Sequence, residues 1–341
     1  MGDILHALPA VTALRQAHPA WIIDWVVEPH WQPLLAADTS TGPRTGRDSA
    51  QPLVDQIHLA PTKAWRKSPL NGNTLHEIKL LRRALQAASY DAVIDLQGAI
   101  RSAVVARLPG CPRVIGEAEP RERAARYLFT EIVATRGAHV IEQDLELASA
   151  IAGDDLKPVR PWLPVDPTAE AWAEALLPPN SPPAVLINPG AGWGAKRWPA
   201  ERYGEVAAEL IRRGYQVFAN AGPGEEPLIT AIQQATNGAA TPVTCTLAQL
   251  IALTRRIALA IAGDTGPLHL ACAIGRPVVG IYGPTDPSRN GPFGTLFKVL
   301  RSPESRRDHT RHAAPEAGLL TIQPADVLRA ADQLLTPEKA Q

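Results

Sequence analysis

The sequence predicts an α/β protein made of two open, doubly wound parallel sheets in tandem. Three observations carry that prediction. Short apolar runs of strand length alternate with helical patterns along the whole chain. In the second half, glycine-bearing turns recur just after those runs, where a parallel sheet presents its ligand side. The 341 residues are enough for two full cores.

In the first half, residues 4–17 carry helical spacing through Leu5, Leu8, Val11 and Leu14, with Pro9 a local irregularity. Residues 22–27 read as a strand, 37–52 as a polar surface loop and 57–60 as a short strand. Residues 74–88 form a basic amphipathic helix. Residues 90–95 are a strand running into Leu96-Gln97-Gly98, followed by a helix with Arg101. Another short strand covers 113–116, and 121–133 and 139–152 read as helices. This gives a first domain over 1–160 and a proline-rich linker region over 161–182.

The second domain, 183–322, has strands at 184–188, 216–221, 257–262 and 277–282. Between them lie helices near 200–213, 225–236, 247–255 and 268–275. A polar loop over 302–318 leads to a last helix at 324–335, within a terminal segment 323–341.

Composition excludes several classes. Basic and acidic residues balance at 34 each, which gives no case for nucleic acid. No run approaches the ~20 apolar residues of a membrane span. Met1-Gly2-Asp3 does not resemble a secretory signal, and Cys111, Cys245 and Cys272 are too far apart for metal spacing. Reduced thiols and a cytoplasmic location are expected.

The stretch from Ala258 to Ala273 is the most informative. A buried strand ends at Gly263, and Asp264-Thr265-Gly266-Pro267-Leu268-His269 starts a helix. Thr265 suits an N-cap, Pro267 the first helical turn, and Gly266 a close backbone approach. Such a helix start is a natural diphosphate site. The other strand ends add Asn188-Pro189-Gly190-Ala191-Gly192 with Lys196, then Gly222-Pro223-Gly224-Glu225, then Tyr282 to Pro287. Lys196 can meet a phosphate and Glu225 a ribose diol. Each has a plain structural alternative: a solvated lysine, a carboxylate complementing a helix dipole, a core histidine at His269. Their recurrence at strand ends favours one nucleoside-diphosphate site. With no P-loop and no metal-ligand spacing, positive charge there is expected from Lys196 and helix termini, without metal or cofactor.

With these residues in view, the chain resembles glycosyltransferase family 9, the ADP-heptose:lipopolysaccharide heptosyltransferases, closest to its type I branch. The resemblance spans nearly the whole chain. Its marks are Met1-Gly2-Asp3 to Pro9, Tyr90 to Gly98, Lys196-Arg197-Trp198-Pro199, Gly263 to His269, and Tyr282 to Pro287. It implies a GT-B fold, two Rossmann-like domains facing across a cleft, with the last helix returning toward the first domain. It implies inverting, metal-independent transfer of L-glycero-D-manno-heptose from ADP-heptose to Kdo of Kdo-lipid A. It places a general base at Asp3 and the donor on Lys196, Glu225, Asp264, Thr265, Gly266, Leu268 and His269. Asp3 also fits an N-cap for the first helix. Acceptor contacts are expected from Gln97, Arg101 and Arg121, and from the basic stretch with Lys63, Arg66 and Lys67, a solvated face in the plain reading. That stretch, with Trp65 at headgroup level, is expected to touch the cytoplasmic face of the inner membrane.

Family members begin with a buried strand before the Met-Gly-Asp motif, so the first domain is expected to lack its first strand, with a natural start upstream. Alternatives are transfer to the first heptose (type II), a sugar-nucleotide epimerase of the same fold, or an inactive nucleotide-sugar-binding remnant.

Overall fold

The computed structural model describes residues 1–37, 46–307 and 312–335. It divides after Val165 into two compact units. The first unit opens with α1 (Gly2–Ala17), which runs through Pro9 and is buried at every residue from Leu5 to Arg15. Burial all round explains why its apolar residues are not confined to one stripe. Next come β1 (Asp24–Val27), β2 (Gln56–Leu59), α2 (Thr62–Lys67), α3 (Gly72–Ala87), β3 (Val93–Ile94), α4 (Ile100–Ala106), β4 (Val114–Glu117), a 3-10 turn (Arg123–Leu128), β5 (Glu131–Val133) and α5 (Val140–Ala152). Every pairing is parallel, with Asp24 opposite Gln56, Val93 opposite Val114, and Ile115 opposite Glu131. The strands of this unit, expected to lack one member, form two separate sheets, β1-β2 and β3-β4-β5.

A buried ion pair ties the far end of α1 to the β1-β2 side. Arg15 is 2% exposed, and it donates through Nε to the Leu53 carbonyl at 3.0 Å and through Nη2 to Asp55 Oδ2 at 2.5 Å. Burial alone would raise the Asp55 carboxyl. The Ile23 N–H, Arg15 and Arg47 outweigh it and hold the carboxyl below its usual range. Arg15→Ala is expected to destabilise this unit by about 3 kcal/mol, because a partly buried carboxylate loses its main partner. Urea unfolding of the full chain measures it, and a shift within about 0.5 kcal/mol of wild type would show the pair to be dispensable.

The second unit contains α6 (Pro167–Leu176), β6 (Ala184–Asn188), α7 (Ala200–Arg212), β7 (Gln216–Asn220), α8 (Glu226–Ala235), β8 (Thr241–Val243), α9 (Leu247–Thr254), β9 (Leu259–Gly263), α10 (Gly266–Ile274), β10 (Val278–Tyr282), α11 (Pro287–Asn290), β11 (Phe297–Arg301) and α12 (Pro324–Leu335). Its six parallel strands lie in the order β11-β10-β9-β6-β7-β8. Every residue of β6, β9 and β10 is buried, as expected for central strands covered on both faces. Val185, Ile187, Leu259, Ile261, Val279 and Ile281 form the core with Trp198 and Tyr203 of the 198–203 segment. Each unit is an α/β fold of the Rossmann-like kind expected of GT-B.

Several expectations need correction. The helix expected over 121–133 is a 3-10 turn followed by β5, because Glu131-Ile132-Val133 pairs alongside β4. Arg121 therefore sits in the loop before that turn and does not begin a helix. Residues 167–176, taken as linker, are α6, whose Ala169 and Ala173 pack on Ala252 of α9. The edge strands β8 and β11 were not anticipated. Helix α12 buries Val327, Ala330 and Ala331 in the second unit's core, which does not bear on the expected return of the terminal segment toward the first domain. Trp65 is 8% exposed and donates from Nε1 to Glu77 Oε2 at 2.7 Å, so it is a core residue and not a headgroup contact. Parts of the loops expected at 37–52 and 302–318, and the end of the 323–341 segment, lie outside the described residues. Among the described residues, no helix is long and apolar enough to cross a membrane.

Candidate active site

Ligands of parallel sheets bind at the carboxyl ends of the strands. In the second unit, those ends bring together all the donor-site candidates. Lys196 stands on a 3-10 turn, Gly194–Lys196, after β6. That turn is pinned from behind: Ala195 N donates to the His312 carbonyl at 3.0 Å, and a Cβ on Gly194 would fall 1.6 Å from the Ala313 carbonyl oxygen. The Lys196 ammonium lies 4.2 Å from the Trp193 ring centroid and forms an ion pair with Asp264 Oδ2. His269 Nε2 meets Asp264 Oδ1 at 3.1 Å. One carboxylate thus fixes two groups suited to an anion.

The Asp264 side chain is 9% exposed, and its burial by itself would raise its pKa. The His269 hydrogen bond and charge, and the charge and hydrogen bond of Lys196, more than offset this and hold it well below the usual carboxylate range. Thr265 occupies the N-cap position of α10, but its hydroxyl donates to the Gly263 carbonyl at 3.2 Å and, among the described residues, no side chain caps the helix. The expected Thr265 cap is absent, because the hydroxyl turns back to the strand end. The first amides of α10, including those of Gly266 and Leu268, are left to an outside acceptor. Leu268's side chain is fully buried, so only its backbone can serve a ligand.

Glu225 precedes α8 and accepts from Gly222 N at 2.9 Å through Oε2. A Cβ on Gly190 would come within 2.1 Å of that oxygen, so the glycine after β6 is what admits the carboxylate. Sequence reasoning quoted Asn188 but gave it no role in the site. Its side chain is 3% exposed, Oδ1 accepts from Asn220 Nδ2 at 2.7 Å, and Nδ2 has no partner among the described residues. Trp193, under Lys196, was also missed. A tryptophan three residues before the lysine was the available signal.

The first unit holds a second polar cluster. Asp3 Oδ2 accepts from Gln97 Nε2 at 2.8 Å and lies 3.4 Å from Arg121 Nη1. Gln97 is set by Asp95, a 5% exposed carboxylate whose Oδ1 takes the Gln97 and Gly98 amides at 2.9 and 3.2 Å. Its Oδ2 takes the Ser102 hydroxyl at 2.9 Å. Burial raises the Asp95 carboxyl, with these hydrogen bonds acting against the rise. Gly98 has φ +63°, and an added Cβ would lie 3.0 Å from Arg121 N. The glycine therefore lets the loop carrying Arg121 come alongside. Arg101 is exposed at the start of α4, and Asp3's hydrogen bonds go to Gln97 and Arg121 instead. Lys63, Arg66 and Lys67 are on α2, and no contact among the described residues joins them to Asp3.

The sequence profile of Glycosyltransferase family 9 (heptosyltransferase) matches residues 78–319, most of the chain. The chain belongs to glycosyltransferase family 9. Membership makes it a heptosyltransferase-type glycosyltransferase. Lipopolysaccharide heptosyltransferase 1 of Escherichia coli K12 is 29% identical over 310 residues, covering 89% of this chain and 91% of that protein. Lipopolysaccharide heptosyltransferase 3 of E. coli is 26% identical over 348 residues, covering 98% and 96%. The solved structure of E. coli heptosyltransferase WaaC with ADP superposes with a TM-score of 0.78 at 25% identity, covering 98% of this chain and 96% of that one.

Against that membership, one cavity stands apart. It measures about 590 Å³ and lies among Pro178–Pro183, Arg256 and Arg276, at the amino ends of β6, β9 and β10. The donor-site candidates lie instead at the opposite strand ends, where the start of α10 and Lys196 converge.

Proposed function

We propose that this chain is an inverting heptosyltransferase that moves L-glycero-D-manno-heptose from ADP-heptose to Kdo of Kdo-lipid A, without a metal ion, at the cytoplasmic face of the inner membrane. The observation that carries the reading is the junction of Lys196 and His269 on Asp264 beside the uncapped start of α10. It supplies fixed positive charge and backbone donors where a departing ADP gains charge. Similarity to lipopolysaccharide heptosyltransferase 1 over most of both chains supports the type I acceptor.

In this reading Asp3 is the general base. Among the described residues its two side-chain partners, Gln97 and Arg121, both meet Oδ2, which leaves Oδ1 to take the proton of the acceptor hydroxyl. The acceptor oxygen attacks the anomeric carbon, the bond to the ADP oxygen breaks, and Lys196 with the Gly266 and Leu268 amides receives the diphosphate. Glu225 holds the ribose. Arg121 serves both Asp3 and the Kdo carboxylate, and Gln97, Arg101, Lys63, Arg66 and Lys67 add acceptor contacts.

Gly190→Ala tests the donor end with little risk to the fold, since the clash is with the free end of a side chain. Displacing Glu225 is expected to raise the ADP-heptose KM about tenfold, the loss of one charged hydrogen bond, with unchanged thermal stability. An unchanged KM would remove Glu225 from the donor site. The function itself is tested by ADP release from ADP-heptose with Kdo-lipid A, in the presence of a chelator. Turnover supports the reading. Turnover on heptosylated acceptor alone would make the enzyme type II, and none on either would leave a binding protein.

A further inference from the structure

Helix α4 and the 3-10 turn at Arg123–Leu128 pack on each other in the first unit. Ile100 N donates to Glu122 Oε2 at 2.8 Å, and Glu122 N to the Gly98 carbonyl at 2.9 Å. What this pair turns outward differs from an ordinary solvated face. Tyr127 is 88% exposed, Val104 50% and Ile100 44%. Ile100 and Val104 are one turn apart and share a side of α4. Arg101, Arg123 and Arg126 are exposed on the same two elements, and none has a carboxylate partner among the described residues.

The charge is local. The whole chain is neutral, yet residues 100–127 hold six arginines against three carboxylates, and of these arginines only Arg113 and Arg121 pair with a carboxylate among the described residues, Glu131 and Asp3. Two of those carboxylates are engaged, Glu122 by the Ile100 amide and Glu117 by the Thr135 hydroxyl at 2.7 Å. Unpaired guanidinium groups around exposed aliphatic and aromatic side chains match a layer of anionic headgroups over acyl chains. Arginine binds phosphate bidentately, tyrosine favours the interface, and small aliphatics reach the first acyl carbons.

We propose that the face made by α4 and the Arg123–Leu128 turn docks on an anionic lipid bilayer. The proposal rests on the membrane-borne acceptor of the reading above, and it explains where Asp3 meets that acceptor. Arg121, two residues before the turn, contacts Asp3 Oδ2, so the base sits at the rim of the docked face. This surface is distinct from the basic stretch around Trp65 that the sequence suggested.

Co-sedimentation of the full chain with vesicles tests it without donor or acceptor, and so stands apart from the transfer assay. The wild type is expected to bind vesicles containing phosphatidylglycerol and to stay unbound with pure phosphatidylcholine. Arg123→Gln with Arg126→Gln should weaken binding by roughly fivefold per arginine. Tyr127→Ser should weaken the part of binding that survives high salt. Transfer to an acceptor stripped of its acyl chains should stay at the wild-type rate in both variants, which reports an intact fold. Equal vesicle binding by wild type and variants, or none by wild type, would overturn the proposal.

Discussion

Asp3→Asn is expected to lower transfer by about 10²–10⁴-fold, the span attributed to a positioned general base. The substitution keeps the shape of the side chain. Gln97 and Arg121 can still approach its oxygen, so the loss reports basicity more than structure. The donor KM should hold, because the donor groups of the second unit are untouched. A variant with wild-type turnover would move the base elsewhere and leave Asp3 as the acid that complements the dipole of α1.

Lys196→Ala is expected to cost about 10²–10³-fold in kcat, comparable to removing one donor to a developing charge, together with weaker donor binding. It should also change the response to acid. In the wild type, the depressed Asp264 carboxyl contributes stability that is present above the usual aspartate pKa and is lost as pH falls toward its own lower value. Without Lys196 that depression shrinks, so the variant should lose less stability than wild type on acidification. Thermal melts at neutral and acid pH measure the difference. Parallel melting curves in the two proteins would show that Lys196 does little for Asp264.

The second unit was legible because its signals are local. Each strand end carries its own glycine and polar residue within a few positions, and period and turn chemistry suffice to place Asp264, Lys196 and Glu225 at one end of a parallel sheet. What joins them was hidden. The Lys196–Asp264 pair spans 68 positions, and nothing in the sequence shows that a single carboxylate serves both lysine and histidine. The contact of Gln97 with Asp3 spans 94 positions, and each residue was singled out for a different task.

In the first unit, tertiary context overrode local pattern more often. Arg121 to Val133 reads as one helix until β4 offers a parallel partner to Glu131-Ile132-Val133. Trp65, set among cations, reads as exposed until its indole N–H finds Glu77 on α3. Arg15 draws no attention in the sequence, yet it is buried against Asp55 and the Leu53 carbonyl, partners 40 and 38 positions away. The proline-rich stretch hid α6, because Pro167 sits at the first helical position, where proline starts a helix as readily as it breaks one.

The central claim is that the diphosphate rests on Lys196 and the open start of α10. Electron density for ADP soaked into crystals of the full chain tests it most directly. The account predicts phosphate oxygens within hydrogen-bond reach of Lys196 Nζ and the Gly266 and Leu268 amides, with the ribose at Glu225. A nucleotide seated instead in the cavity beside Pro178–Pro183, Arg256 and Arg276 would contradict it.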